Sequence, residues 1–202
     1  MLPAGYIEQG RLLSNEAGGL VPLSLEVGAR FAHLIFVGVG GSWGPGRLGD
    51  DVTASFMCFH SDEAGQPCDV SSWSLGLAVA LHPVPDDVID PWISVGAGYE
   101  WLRFTGALII PASTDPDSQP GRAESHITLS GWRLLEARVG ADFLVTAPLA
   151  MGAFGSFVLG RFDREDAYCE SPYSCTGRPV GERTFHEWLG FGIRAVISPL
   201  SR

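Results

Sequence analysis

Pro91-Trp92-Ile93-Ser94-Val95-Gly96-Ala97-Gly98-Tyr99-Glu100-Trp101 is the stretch that decides the fold. Its odd positions, Ile93, Val95, Ala97, Tyr99 and Trp101, are apolar and end in two aromatics, while Ser94, Gly96, Gly98 and Glu100 are small or charged. Successive side chains of a strand point to opposite faces, so this period of two describes a strand with one apolar and one small or polar side. Which of those sides is outside sets the reading of the whole chain.

The alternation recurs. Leu23, Leu25, Val27, Ala29 and Phe31 oppose Ser24, Glu26, Gly28 and Arg30. After a break at Ala32-His33, Ile35, Val37, Val39 and Trp43 oppose Phe36, Gly38, Gly40 and Ser42, and the short connection predicts a hairpin. Trp73, Leu75, Leu77, Val79 and Leu81 oppose Ser72, Ser74, Gly76, Ala78, Ala80 and His82. Leu135, Ala137, Val139, Ala141, Phe143 and Val145 oppose Glu136, Arg138, Gly140 and Asp142, and the last strand sets Leu189, Phe191, Ile193, Ala195 and Ile197 against Gly190, Gly192, Arg194 and Val196. A partial first strand at 5–9 and a glycine-rich strand of ambiguous facing at 149–162 bring the count to eight. Beyond Trp101 the phase blurs, as at a bulge or a strand end.

Long polar connections at 44–70, 111–126 and 163–182 alternate with shorter ones. That is the pattern of an up-and-down meander whose long loops all emerge on one side. No linker divides the chain, so residues 1–202 read as one domain.

Composition narrows the function classes. Hydrophobic residues make up 46%, which excludes a disordered chain, and 26 glycines with 14 prolines argue against a helical one. The net charge of -10 opposes nucleic-acid binding. No run reaches the roughly 18 apolar residues of a membrane-spanning helix. The N-terminus Met1-Leu2-Pro3-Ala4-Gly5-Tyr6 lacks the basic and apolar regions of an export signal.

A soluble barrel would show water the face made of Gly, Ser and Ala, a poor substitute for the dense charge of a soluble surface. The apolar face carries Phe31, Trp43, Trp73, Tyr99, Trp101, Phe143 and Phe191. Eight strands enclose a space just wide enough for side chains to fill, so small residues and a few charges belong inside and large apolar ones outside. Glu26, Glu100, Glu136 and Asp142 then meet Arg30, Arg138 and Arg194 in the lumen, where carboxylate and guanidinium pair. Trp43, Trp73 and Trp101 suit the aromatic girdle at a membrane–water interface. A pair of catalytic carboxylates is the rival reading of the acids, but no nucleophile or metal set stands beside them in sequence.

The segments Pro22–Phe31, Asp90–Trp101 and His186–Arg194 together resemble the small eight-stranded outer-membrane barrels of Gram-negative bacteria, the OmpA-like and OmpX-like group and its "outer membrane protein β-barrel domain" sequences. The resemblance covers about residues 20–198. It implies an all-β, eight-stranded antiparallel up-and-down transmembrane β-barrel in an outer membrane, with the first strand incomplete in this sequence. The chain departs from the family in running on through Ser198-Pro199-Leu200-Ser201-Arg202 rather than closing on an aromatic residue, and in showing no export signal.

The cysteines fall as two local pairs, Cys58/Cys68 and Cys169/Cys175. Disulfides are the favoured reading and fit an oxidising compartment; a metal site using His60, Asp62 and Glu63 is the alternative, without CxxC or HxxxH spacing to support it. Gly38–Gly41 and Gly96-Ala97-Gly98 open no helix and so do not make a dinucleotide loop. The acidic loop residues lack EF-hand spacing, and Gly-x-Ser-x-Gly is absent.

The expectation is therefore a non-enzymatic, monomeric barrel without cofactor. Membrane lipid is its first partner, and an unidentified extracellular partner meets its loops. A soluble lipocalin-like barrel holding a small apolar ligand is the alternative, and a barrel enzyme acting on lipid a third. The barrel reading requires Leu75, Leu77, Val95 and Phe191 exposed, and Glu136, Arg138 and Arg194 buried.

Overall fold

The structure, a computed structural model, describes residues 1–8, 11–48, 68–84, 87–110, 121–146, 149–169, 178–179 and 184–197. In chain order these form β1 (Leu2–Glu8), β2 (Arg11–Leu12), α1 (Leu13–Glu16), β3 (Ala17–Leu20), β4 (Leu23–Phe31), β5 (Ile35–Leu48), β6 (Asp69–Leu81), β7 (Ile89–Ile110), β8 (Gly121–Thr146), β9 (Leu149–Cys169), β10 (Arg178–Pro179) and β11 (His186–Ile197). The described residues are almost entirely strand, paired antiparallel in one sheet.

The order along the sheet is β2-β1-β11-β9-β8-β7-β6-β5-β3, with β4 also on β5 and β10 on β9. Strands β3 and β4 lie end to end along the same edge of β5, opposite 46–48 and 35–43 respectively. The sequence therefore meanders from β4 to β11, each strand beside its predecessor among the long ones. Strand pairing does not run full circle: the outer edge of β4 is unpaired among the described residues. The two ends of the sheet touch at one point, where Leu20 N–H donates to Met1 O at 2.9 Å and the Met1 amine donates to Leu20 O.

The β4–β5 hairpin turns through Ala32 and His33, both at positive φ (49° and 60°), with Leu34 N–H donating to Phe31 O at 3.1 Å. Left-handed backbone at two successive positions is the geometry that matches the twist of a tight hairpin.

The sheet is strongly curled. Side chains of β4 and β8, with three strands between them, meet at 3.0 Å through Glu26 and Arg138, and β11 reaches β7 through His186 and Glu100. On the convex side Leu75, Leu77, Val95 and Phe191 are exposed, Phe191 to 90%. Glu136, Arg138 and Arg194 are on the concave side but only partly buried, with side chains 13%, 21% and 24% exposed.

The strands are longer than the alternation indicates. β7 continues nine residues past Trp101, β8 starts at Gly121 rather than 135, and β9 runs on to Cys169. The blurred phase after Trp101 is not a strand end. On β7 the concave positions are Trp92, Ser94, Gly96, Gly98, Glu100, Leu102 and Phe104 without a break, so facing is constant while polarity is not. Up to Trp101 the concave face is mainly small or charged. Beyond it, Leu102 and Phe104 are buried and Arg103 lies on the convex side.

The same inversion occurs at the same height on neighbouring strands. Trp43, Trp73 and Trp101 stand in one cross-strand row of β5, β6 and β7. Past that row the convex side shows Arg47, Asp69 and Arg103, while Val70 and Leu102 turn to the concave side and are buried. On β11, Glu187 is outside and Trp188 buried within. On β9 the facing itself shifts, because Asp163 is passed over where Ser130 pairs Arg164 and Gly131 pairs Phe162, as a bulge does. These inward apolar side chains, with Leu129, Val158 and Phe162, make the only continuous apolar core among the described residues. The N-terminal segment closes it with Ile7, Leu13, Ala17 and Leu20. The segment after β2 thus contains a one-turn helix and part of a core, because Leu13 and Ala17 find apolar neighbours there.

Candidate functional site: the charged interior below an apolar cap

Below the apolar core the concave side is polar, and its charges fall into two clusters. The first crosses the trough from β4 to β11. Arg138 donates to Glu26 at 3.0 Å and to Glu136 at 2.6 Å. Arg133 stands 3.3 Å from Glu136 and 3.9 Å from Glu100, and donates to Ser74 Oγ at 2.8 Å. Glu100 Oε1 then meets His186 Nε2 at 2.5 Å. The imidazole is fully buried and stacked on Phe162, ring centroids 4.1 Å apart. Gly160 makes room for this pair, since a Cβ there would lie 2.6 Å from both Glu100 Oε1 and His186 Nε2.

The second cluster sits at the hairpin-turn end. Arg194 forks onto Asp142 at 2.9 and 2.5 Å, and Trp92 donates its indole N–H to the same carboxylate at 3.1 Å. The Arg194 guanidinium also lies 3.6 Å over the Trp92 ring, which gives the cation a second, electrostatic contact. Beside them Arg30 is 3.4 Å from Asp90 and 3.2 Å from His82, whose Nδ1 is 2.9 Å from Asp90. Arginine only donates, so the consistent tautomer has Nδ1–H donating to Asp90 and Nε2 accepting from Arg30. His82 lies in the turn after β6, and its pKa is lowered from 6.5. Burial is the main cause, the Asp90 hydrogen bond opposes it, and the Arg30 charge reinforces it.

All seven acids and arginines named from the sequence are therefore on the concave side, but in two groups. Glu26, Glu136, Arg138 and Glu100 belong to the first, and Asp142, Arg194 and Arg30 to the second. Four members had been missed. Arg133 lies just beyond the β8 bulge, where Gly98 pairs Arg133 while Gly96 pairs Glu136, so simple phase counting loses it. His82, Asp90 and His186 stand at the ends of the alternating segments and were not counted among the interior charges. Their signal was position: each stands at a strand end on the phase of the small residues.

The trough is filled. A cavity of about 30 Å³ among the described residues is lined by Glu26, Ser42, Ser74, Arg133, Glu136 and Arg138 among others, room for a water molecule and not for a solute. The His82–Asp90 pair lies against Arg30, and the His186–Glu100 pair against Arg133 and the Phe162 ring. No cysteine among the described residues is a free thiol, and Cys68 is engaged. Cys58 and Cys175, the side chain of Cys169, and the rival ligands His60, Asp62 and Glu63 lie outside the described part of the structure.

On the convex side four tryptophans mark the level at which polarity inverts. Trp43 and Trp73 pack with ring centroids 6.1 Å apart, and Tyr99 lies 4.9 Å from Trp101 and 5.2 Å from Trp132. Trp132 was not anticipated, because the β8 bulge puts it on the opposite phase from Leu135. Comparison of the chain with protein-family models, curated proteins and solved structures gave no match.

Proposed function

We propose that this protein is a monomeric, non-enzymatic integral outer-membrane β-barrel whose lumen is plugged by its own side chains. In this reading the convex band from the tryptophan row to the hairpin turns faces lipid, and the apolar-cored part beyond the row stands in water. The observation that carries it is the inversion of polarity at one height on several strands while facing stays constant. A soluble protein has no reason to reverse which side is apolar part-way along a strand; a chain leaving a bilayer does.

Magnitudes agree. Trp43 to Ile35, Trp73 to Leu81 and Trp101 to Ile93 each span nine residues in matched cross-strand rows. A tilted strand needs about 9–11 residues to cross a hydrocarbon core. Aromatic residues gather at such a boundary because one edge of the ring prefers water and its body prefers hydrocarbon.

The two ionic clusters serve as the plug. Ion pairs of this kind hold a narrow interior closed without an apolar core, and the cavity left beside them is too small to conduct. A lipocalin-like reading would need an apolar pocket on the side that instead holds Glu26, Arg138 and Asp142. The function then lies in anchoring and in what the part beyond the tryptophans and its long loops bind. The loop cysteines pair as disulfides in an oxidising compartment.

Expression with an outer-membrane export signal tests the reading. The protein should stay with the membrane fraction through a urea wash and be released by detergent. Recovery in the aqueous fraction would overturn it.

A further inference from the structure

The bulge at Asp163 puts two arginines on one face of β9. In a regular strand Arg161 and Arg164, three residues apart, would point to opposite sides. With Asp163 passed over, Arg161 pairs Trp132 and Arg164 pairs Ser130, so both share the convex side with Tyr99 and Trp101. Bulges re-aim side chains in this way. Arg103 of β7 joins them from the other flank, opposite Thr128. Between the two flanks lie the rings of Tyr99, Trp101 and Trp132, with Ser130 accepting from the Tyr99 hydroxyl at 3.3 Å.

Each of these arginines is engaged through Nε: Arg103 with Thr128 Oγ1 at 3.4 Å, Arg161 with Asp163 at 3.1 Å and Arg164 with Asp166 at 3.2 Å. Arg103 and Arg164 are both exposed, so their terminal nitrogens remain for an acceptor from the surroundings. Three guanidiniums against two carboxylates make the patch net positive on a chain of formal charge -10. The other described charges on the convex side past the tryptophan row, Arg47, Asp69 and Glu187, carry no positive excess.

We propose that this patch docks the phosphate of a lipid headgroup, with Arg103 and Arg164 clasping it and the aromatic cluster packing against the chain below; the proposal rests on the membrane reading above. Height supports it. Arg103 stands two residues past Trp101, about 7 Å along the strand, and the headgroup layer beyond the hydrocarbon is about 5–7 Å thick on each side. Arg161 starts one row nearer the hydrocarbon, from where a long cationic side chain reaches toward the headgroups. β7 and β9 are two strand spacings apart, about 9–10 Å, a gap that arginines can close from both flanks. Guanidinium matches phosphate oxygens in a fork of charge-assisted hydrogen bonds.

The test titrates the full chain, in micelles of a neutral detergent, with phosphatidic acid, phosphatidylcholine or oleate, and counts bound lipid by native mass spectrometry. One phosphatidic acid should bind in preference to the other two. Arg103→Gln with Arg164→Gln should weaken it about tenfold or more, as loss of charge-assisted hydrogen bonds does, while Arg47→Gln leaves it unchanged. Equal binding of oleate or of phosphatidylcholine, an equal loss in Arg47→Gln, full binding by the double variant, or displacement of the lipid by equimolar inorganic phosphate would each overturn the proposal. Flotation with phosphatidylcholine vesicles separates the two failures. Wild type and double variant should both float. A protein that floats without preferring phosphatidic acid lacks the headgroup site alone, whereas a wild type that does not float takes the membrane reading and this proposal down together.

Discussion

His186 Nε2 and Glu100 Oε1 meet at 2.5 Å, and the space they occupy is the space a side chain on Gly160 would need. Gly160→Ala must push this buried hydrogen-bonded pair or its own strand aside. Overpacking of this kind costs about 1–3 kcal/mol. Gly155→Ala is the control, since its Cβ would meet the Phe191 ring at 3.9 Å and the Gly190 carbonyl at 4.0 Å, both ordinary contacts. Denaturant midpoints in one detergent should fall for the first variant and hold for the second.

Arg133 bridges Glu136 and Glu100 with 9% of its side chain exposed, whereas the Arg164–Asp166 pair is 70% and 58% exposed. Removing one partner of a buried network leaves charge uncompensated and costs roughly 3–5 kcal/mol; a surface pair is worth about 0–1 kcal/mol. Arg133→Met should therefore unfold at much lower denaturant than Arg164→Met. Equal effects would mean that the concave side is wet.

The lowered pKa of His82 fixes the sign of one pH effect. The folded state holds the proton less readily than the unfolded chain, so the contribution of His82 to stability is complete above pH 6.5 and declines as the pH falls below it. His82→Gln, which can still donate to Asp90 and accept from Arg30, removes the titration. Melting temperatures of the two proteins should diverge between pH 7 and pH 5, with the wild type falling more steeply.

Much of this was legible in the alternation of Ile93 to Trp101 and its counterparts, because a period of two reports facing directly. What the pattern hid was physical. Trp92 shares the concave face with Ser94 and Gly96, yet apolar bulk there reads as noise unless Asp142 and Arg194 are known to be its neighbours. Leu102 and Phe104 look like a lost phase because polarity and facing are the same signal only while the surroundings stay the same. The β8 bulge moved Arg133 and Trp132 to unexpected sides, and no local residue type announces it. Pairing across the trough, such as Glu26 with Arg138, depends on curl and stagger that sequence spacing does not contain.

Polarity inversion makes position along a strand decisive for a charge. Leu77, exposed at the middle of the nine-residue band, should tolerate Arg poorly in lipid vesicles, at about 2–4 kcal/mol for a midplane charge. Arg103→Ser, on the same side of the sheet but past Trp101, should change stability by no more than about 0.5 kcal/mol. Reversible unfolding in vesicles measures both.

The most direct measurement places a nitroxide, one at a time, at the convex positions Ile93, Val95, Ala97, Trp101, Arg103 and Thr105 of β7 in reconstituted vesicles, and compares collision with oxygen and with a water-soluble nickel chelate. Oxygen should dominate at Ile93, Val95 and Ala97, the two should cross near Trp101, and the chelate should dominate at Arg103 and Thr105. Chelate access at every position, with no crossing at the tryptophan row, would contradict the claim that the inversion marks a membrane surface.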